Sequence, residues 1–219
     1  MRLDTLKLIT MPAAISLVVT LVRLLGELFH WSERWFTTST LGVVPAGLTW
    51  VFGITWLALP FGAYFAWRLM RAGYGPALRI KPVLCAVVGI VITLAGLFLR
   101  PPLPFPQILL YVWLTMAIAA ALQLAGWPEL VRVLLAYGLA ARIPVVAVMF
   151  FAMLGNWGTH YDYVGMPPQF SMSFWPRFLW LAFFPQLIFW VGYTILTGAL
   201  AGSTVAAVLT RKTAAEKYL

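Results

Sequence analysis

The stretch VRVLLAYGLAARIPVVAVMFFAML, residues 131–154, decides the fold class. A helix needs about 20 mostly apolar residues to cross the hydrocarbon core of a bilayer. This stretch is long enough, and its charged residues are Arg132 near the start and Arg142 near the middle. We therefore expect a membrane-spanning helix here.

The composition of the whole chain agrees with that expectation. Of the 219 residues, 63% are hydrophobic and only 10% are charged, whereas a soluble domain needs a far more charged surface. A soluble globular protein is therefore excluded. The single cysteine, Cys85, excludes an intrachain disulfide and a cysteine-based zinc or iron–sulfur site.

Further stretches of this kind predict an all-α fold, a polytopic helical membrane bundle that forms one integral membrane domain over residues 1–219. The six predicted spans cover residues 8–30, 45–67, 82–99, 108–126, 131–154 and 178–208. Pro60 and Pro185 mark expected kinks in the second and sixth spans, because proline cannot donate a backbone hydrogen bond. Gly198 and Gly202 let another helix approach closely, and we expect them to pack inside the bundle.

The basic residues predict the orientation of the bundle. Ten lysines and arginines fall in the loops and tails on one side of the six-span arrangement, and three fall on the other. Positively charged loops stay in the cytoplasm, so we expect both termini to be cytoplasmic, in a bacterial-type inner membrane. No small-residue cleavage motif follows the first stretch, so we expect a retained span. This topology explains the net charge of +9 without a nucleic-acid partner, and we expect none.

Ionisable residues inside spans are costly and therefore mark candidate sites. Arg23 and Glu27 are four residues apart in the first span, and His30 follows three residues later, so we expect the three to share one helical face. Arg142 follows Arg132 in the fifth predicted span, and the two are about 15 Å apart along the helix axis at 1.5 Å per residue. That distance puts Arg142 near the centre of the bilayer.

The charges inside the spans do not balance. The simplest interpretation pairs Arg23 with Glu27 and bonds Arg142 to backbone carbonyls freed near Pro144. Two guanidinium groups then face one carboxylate, and arginine does not lose its proton in proteins. The extra charge needs a partner: a ligand carboxylate or phosphate, a lipid headgroup, an acidic residue of another subunit, or water in an outward-facing cavity. Gln186 begins a polar streak that either bonds to its own backbone or meets Arg142, so the predicted ligand-binding residues are Arg23, Arg142 and Gln186.

The outer connection at residues 155–177 is the second candidate region. At about twenty residues it exceeds the usual connection length, and its aromatic content argues against disorder. We expect it to fold over the bundle and to bring His160 or Asp162 near Glu27 or His30, with Arg23 below them. The alternative is a loop that lies flat at the membrane surface. If the groups meet, the candidate catalytic residues are His160, Asp162, Glu27 and His30.

The same residues bear on cofactors. Imidazole and carboxylate side chains suit zinc, manganese or iron, but Glu-x-x-His occurs once, at Glu27 and His30, whereas di-iron bundles use it twice. A b-type haem usually takes paired histidines on facing helices, and both histidines are expected near one surface. We therefore predict no metal and no cofactor, and we expect bound lipid.

Three classes of function remain. The first hypothesis is an accessory or assembly subunit of a larger membrane complex, because the bundle is small, apolar and has an unpaired intramembrane charge. The second is a small carrier or channel for an anionic or amphipathic solute, lined by Arg23 and Arg142. The third is a membrane enzyme acting on a lipid-like substrate at the outer leaflet, and catalysis is not the favoured expectation. The expected partners are membrane lipids and either other membrane subunits or further copies of the chain.

Overall fold

The computed structural model describes residues 4–38, 40–41, 44–45, 48–163 and 172–215. Helices dominate these residues, and the only β structure within them is an antiparallel pair of two-residue strands, β1 (Thr40–Leu41) and β2 (Val44–Pro45). The helical elements are α1 (Thr5–Leu28), α2 (Glu33–Phe36), a 3-10 turn (Thr49–Phe52), α3 (Ala58–Arg71), α4 (Ile80–Phe98), α5 (Gln107–Gly126), α6 (Pro128–Gly155), a second 3-10 turn (His160–Asp162), α7 (Phe174–Arg177), two π-helical segments (Phe178–Phe183 and Pro185–Trp190) and α8 (Val191–Ala215).

Five helices of the described chain are long and apolar enough to cross a membrane. They are α1, α4, α5, α6 and the continuous run Phe174–Leu209. Local signals in the sequence set their ends. The Asp4 side chain accepts from two backbone N–H groups in the first turn of α1, and Asn156 ends α6 in the left-handed conformation. The prediction of an all-helical, membrane-compatible fold is confirmed to this extent.

The second predicted span is not one continuous helix. Regular α-helix begins only at Ala58, so α3 has 14 residues and a length of about 21 Å, shorter than the hydrocarbon core of about 30 Å. A 3-10 turn, a bend and a turn precede it over residues 48–57, which we call the irregular segment. Gly53 ends the 3-10 turn. Pro60 lies in the first turn of α3, where proline is tolerated because that N–H has no helical partner.

The last span departs from α-helical geometry around Pro185. Residues Phe178–Phe183 and Pro185–Trp190 are π-helical, and regular α-helix resumes at Val191. Proline removes one backbone donor and its ring crowds the preceding turn, so a wider helix is a physical response to Pro185. The kink expected at Pro185 stays a prediction, and what the structure shows there is π-helix.

The helix α8 packs against most of the other long helices. It contacts α3, α4, α5 and α6, while α6 also packs against α1, and α4 against α5. Close approach of α3 and α8 depends on glycine, because a Cβ built on Gly62 would lie 2.4 Å from the Gly198 Cα, and one built on Gly202 would lie 3.1 Å from the Gly62 carbonyl oxygen. The prediction that Gly198 and Gly202 pack inside the bundle is confirmed.

Candidate functional site

One face of α1 is both polar and buried. Ser16, Thr20, Arg23 and Glu27 recur at helical spacing, and none of them is more than 7% exposed. The face lies against α6, where Ser16 Oγ is 2.9 Å from the hydroxyl oxygen of Tyr137. A spanning helix turns polar side chains toward the protein interior rather than toward lipid. This orientation brings the ionisable residues of α1 into the bundle.

Arg23, Glu27 and His160 form what we call the outer cluster. Glu27 accepts a hydrogen bond from Arg23 Nε at 3.0 Å and another from the backbone N–H of His160 at 2.9 Å. The Nδ1 atom of the His160 ring lies 2.7 Å from a carboxylate oxygen of Glu27. The predicted approach of the outer connection to the first span is thus confirmed at His160 and Glu27.

The bond to Glu27 decides which nitrogen of the neutral His160 ring carries the proton. The side chain is 20% exposed. Burial lowers the pKa of His160 below its usual value, against the opposing effect of the Glu27 carboxylate. We assign the neutral tautomer with Nδ1–H donating to Glu27, which leaves Nε2 as an acceptor. No described residue bonds to Nε2.

The structure does not bring Asp162 into the outer cluster. Its Oδ2 atom accepts the Gly158 N–H at 2.9 Å, and its Oδ1 atom accepts the Thr159 hydroxyl at 3.4 Å. An aspartate that bonds to neighbouring residues in this way closes a tight turn. Asp162 therefore shapes the connection that presents His160.

His30 also lies outside the outer cluster, which corrects the expectation that it shares a face with Glu27. Regular helix ends at Leu28, and His30 is exposed with a positive φ of 50°. Its N–H bonds to the Glu27 carbonyl, and the Trp31 N–H bonds to the Gly26 carbonyl. This pattern ends a helix at a left-handed residue. Helical spacing does not apply beyond that point.

Arg142 lies near the middle of α6, roughly 20 Å from either end at 1.5 Å per residue, and is 5% exposed. Its Nη1 donates to Gln186 Oε1 at 3.2 Å and its Nη2 to Thr55 Oγ1 at 3.5 Å. The guanidinium carbon lies 5.0 Å from the Trp190 ring centroid. We call these four residues the central cluster. Of the two expectations for Gln186, the one in which it meets Arg142 is observed.

Every partner of Arg142 in the central cluster is neutral. Across the described ranges, no carboxylate lies within 4.0 Å of this guanidinium. The expected bonds to carbonyls near Pro144 are also not among its contacts in that part of the chain. The Arg142 guanidinium therefore contacts an amide, a hydroxyl and an indole ring, and among the described residues no counter-charge lies beside it.

Two elements of irregular backbone meet at the central cluster. Thr55 belongs to the irregular segment, while Gln186 and Trp190 belong to the second π-helical segment. At membrane depth, non-helical backbone is tolerated where protein buries it or where it lines a cavity. π-helical turns are frequent at functional sites.

The irregular segment also connects the two clusters. A Cβ built on Gly53 would lie 3.6 Å from Arg23 Nη1, and Thr55, two residues later, bonds to Arg142. Two consecutive Cα–Cα steps span at most about 7 Å. The guanidinium groups of Arg23 and Arg142 thus approach neighbouring points on one short piece of chain.

Tyr161 lies in the same region. Its hydroxyl donates to the Thr20 carbonyl at 3.3 Å, and its ring stacks on His160 with 3.9 Å between centroids. Burial raises the pKa of Tyr161 above its usual value, and the positive charges of Arg23 and Arg142 both act to lower it. Tyr161 therefore joins the connection to the buried polar face of α1 at Thr20.

Sequence reasoning missed three of these residues. Thr55 was missed because residues 45–67 were interpreted as one continuous helix. Gly53 and Pro60, which are residues that often interrupt a helix, were the signals of a break. Nothing in the sequence set Tyr161 apart from the other aromatic residues of the connection, or Trp190 from those of the last span. Only the fold shows that the Trp190 ring lies beside the Arg142 guanidinium and that the Tyr161 ring stacks on His160.

The described residues do not assemble a metal site. Within the described ranges, no three His, Cys, Asp or Glu side chains cluster. The Glu27 carboxylate already accepts hydrogen bonds from Arg23 and His160, which a metal would have to displace. A cavity of about 420 Å³ lies elsewhere, lined by Tyr74, Lys81, Glu129 and neighbouring residues. None of the sequence-predicted site residues lines it.

Comparisons with protein families, with curated proteins and with solved structures give no match for this chain.

Proposed function

We propose that the protein is a small multi-pass inner-membrane carrier for an anionic or amphipathic solute, and that Arg142 binds the negative charge of that solute. The main support for this proposal is that the buried Arg142 guanidinium contacts the neutral side chains of Gln186, Thr55 and Trp190. A charge buried in a membrane bundle is costly when nothing balances it. An anion bound at Arg142 supplies the balance, because guanidinium pairs with carboxylate or phosphate through parallel hydrogen bonds.

The backbone around Arg142 supports the same proposal. Carriers commonly bind their substrates near the bilayer midplane, where spanning helices are interrupted. Here the irregular segment contributes Thr55 and the π-helical segment contributes Gln186, both to the side chain at the middle of α6. These two segments are the parts of the bundle that we propose move to admit the solute.

The burial of Arg142 fits one stage of a transport cycle. At 5% exposure, Arg142 is shielded from both membrane surfaces. Alternating access exposes a site first to one side and then to the other, and it passes through a closed state between the two. We propose that the structure represents this closed state.

We further propose that the chain crosses the membrane six times with both termini in the cytoplasm. The irregular segment and α3 together would form the second crossing. Arg68 and Arg71 lie in the last turn of α3, and Arg71 stacks over Trp67 at 5.0 Å. An arginine on an interfacial tryptophan is a common anchor at the membrane surface, and this pair supports a cytoplasmic end for α3.

The other two classes of function are weaker proposals. An enzyme at the outer leaflet would need a nucleophile or an activated water beside His160. The Thr159 hydroxyl is fully buried and bonds to Asp162, so we do not propose it as a nucleophile. The accessory-subunit hypothesis, bound lipid and association with other subunits or further copies remain predictions.

Binding of anions to the purified protein tests the proposal. Melting in a mild detergent is measured with chloride, phosphate and decanoate, and at least one of them is expected to raise the melting temperature. An anion at about 100 times its dissociation constant adds about 2.7 kcal/mol to the stability of the form that binds it.

Variants then locate the site. Arg142→Met should remove the anion-dependent shift, while Arg132→Met, at an exposed position of the same helix, should keep it. A wild-type protein whose melting temperature responds to none of the three anions contradicts the proposed function.

A further inference from the structure

The outer cluster attaches the connecting segment to α1 at one residue. His160 contributes both its backbone N–H and its ring Nδ1 to the same carboxylate of Glu27. Three residues further on, the Tyr163 hydroxyl donates to the Leu181 carbonyl in the first π-helical segment. The connecting segment is therefore attached to the first span through His160 and Tyr161 and to the last span through Tyr163. His160 is the one of these three whose usual pKa lies near neutral pH.

The charges that face His160 set its response to protons. From α1 these are the Glu27 carboxylate and the Arg23 guanidinium, and from its own turn the Asp162 carboxylate. Burial and Arg23 lower the pKa of His160, while Glu27 and Asp162 raise it. The ring is consequently neutral near pH 7, with Nε2 available to accept a proton from the outer solution.

A proton on His160 alters the charge beside the solute site. In the neutral state, Arg23 and Glu27 cancel within the outer cluster. Protonation at Nε2 adds one positive charge to this cluster, in which Arg23 lies beside Gly53, two residues before the Thr55 that bonds to Arg142. Because opposite charges stabilise each other, an anion at Arg142 favours the imidazolium form of His160, and the imidazolium form favours the anion.

We propose that the Glu27–His160 pair is a proton-binding site coupled to the anion site at Arg142, so that binding of a proton and binding of an anionic solute promote each other. A proton from water binds His160 Nε2 when the anion binds and leaves from the same atom when the anion is released, while the Nδ1 proton stays with Glu27. This inference rests on the proposed function and adds the proton as a regulator of solute binding.

The test uses the two histidines of the chain. His30 is exposed and has a positive φ, so His30→Asn suits its backbone conformation and leaves His160 as the only imidazole. Nuclear magnetic resonance of the 15N-labelled ring is followed across pH in lipid nanodiscs, without anion and with chloride, phosphate or decanoate. The anion that binds should raise the measured pKa of His160, and an unchanged titration curve overturns the coupling.

A binding measurement separates this inference from the proposed function. The dissociation constant of that anion should be about tenfold smaller at about pH 5.5 than at about pH 8, the size expected when a neighbouring charge shifts a pKa by about one unit. His160→Asn, which keeps a donor close to the Nδ1 position, should retain only the change of affinity with pH that comes from the anion's own protonation. The same pH dependence in wild type and in His160→Asn overturns the coupling and leaves the carrier standing. Absence of anion binding at both pH values overturns both.

Discussion

Arg23 and Arg142 are almost equally buried, at 7% and 5% exposed, but their neighbours are of opposite kinds. Arg23 bonds to the carboxylate of Glu27, so the chain itself neutralises its charge. Arg142 bonds to an amide and a hydroxyl and lies over an indole ring. Burial alone therefore does not identify a ligand site. Of these two arginines, Arg142 is the one that no carboxylate of the described residues neutralises.

The largest expected effect breaks the outer cluster. Glu27→Gln keeps the shape of the side chain but leaves the buried Arg23 guanidinium without its counter-charge. Breaking one partner of a buried pair costs about 3–5 kcal/mol. The free energy of unfolding, measured by SDS titration in mixed micelles, should fall by that amount. Glu33→Gln, at an exposed position, should leave it unchanged, and equal effects of the two variants would contradict the role of Glu27.

A smaller effect is expected at the amide of the central cluster. Gln186→Leu removes the acceptor of Arg142 Nη1, while Thr55 and Trp190 continue to contact the guanidinium. An unsatisfied buried donor costs about 1–3 kcal/mol. The same SDS titration measures the loss, with the exposed Gln107→Leu as control. Bound anion should recover part of the loss, because it offers Nη1 a new acceptor. A loss that anion leaves untouched would argue against a ligand beside Gln186.

The smallest effect is expected at the hydroxyl of the irregular segment. Thr55→Val keeps the shape of the side chain and removes an acceptor whose distance of 3.5 Å from Arg142 Nη2 is at the long end of hydrogen bonding. The expected loss of stability is about 0.5 kcal/mol, and Thr204→Val, on the exposed face of α8, is the matched control. A loss as large as that of Glu27→Gln would contradict the interpretation of this contact as a weak hydrogen bond.

The sequence predicts the fold where apolar runs are uninterrupted. Spans near α4, α5 and α6 follow from hydropathy, since lipid is the only solvent those faces suit. The stretch at residues 45–67 carries no charged residue and was therefore interpreted as one span, but regular helix starts only at Ala58. Average apolarity does not report the local effects of Gly53 and Pro60, so the irregular segment was not foreseen.

The candidate site, like the fold, was predictable from the sequence only in part. The meeting of His160 and Glu27 follows from an aromatic connection of unusual length on the side where α1 ends. The places of His30 and Asp162 do not follow, because they depend on a left-handed residue at the end of α1 and on a tight turn closed by Asp162. Residue type alone specifies neither geometry. The contact of Thr55 with Arg142 depends on how an irregular segment packs, which no periodic pattern encodes.

A transport assay is the most direct test of the proposal that Arg142 binds the transported anion. The protein is reconstituted into lipid vesicles, and uptake of the radiolabelled anion that binds best is measured for wild type, Arg142→Met and Arg132→Met. We expect uptake by wild type and by Arg132→Met. For Arg142→Met we expect uptake no faster than in protein-free vesicles, with all three proteins folded. Equal uptake by wild type and Arg142→Met would contradict the assignment of Arg142 as the solute-binding charge.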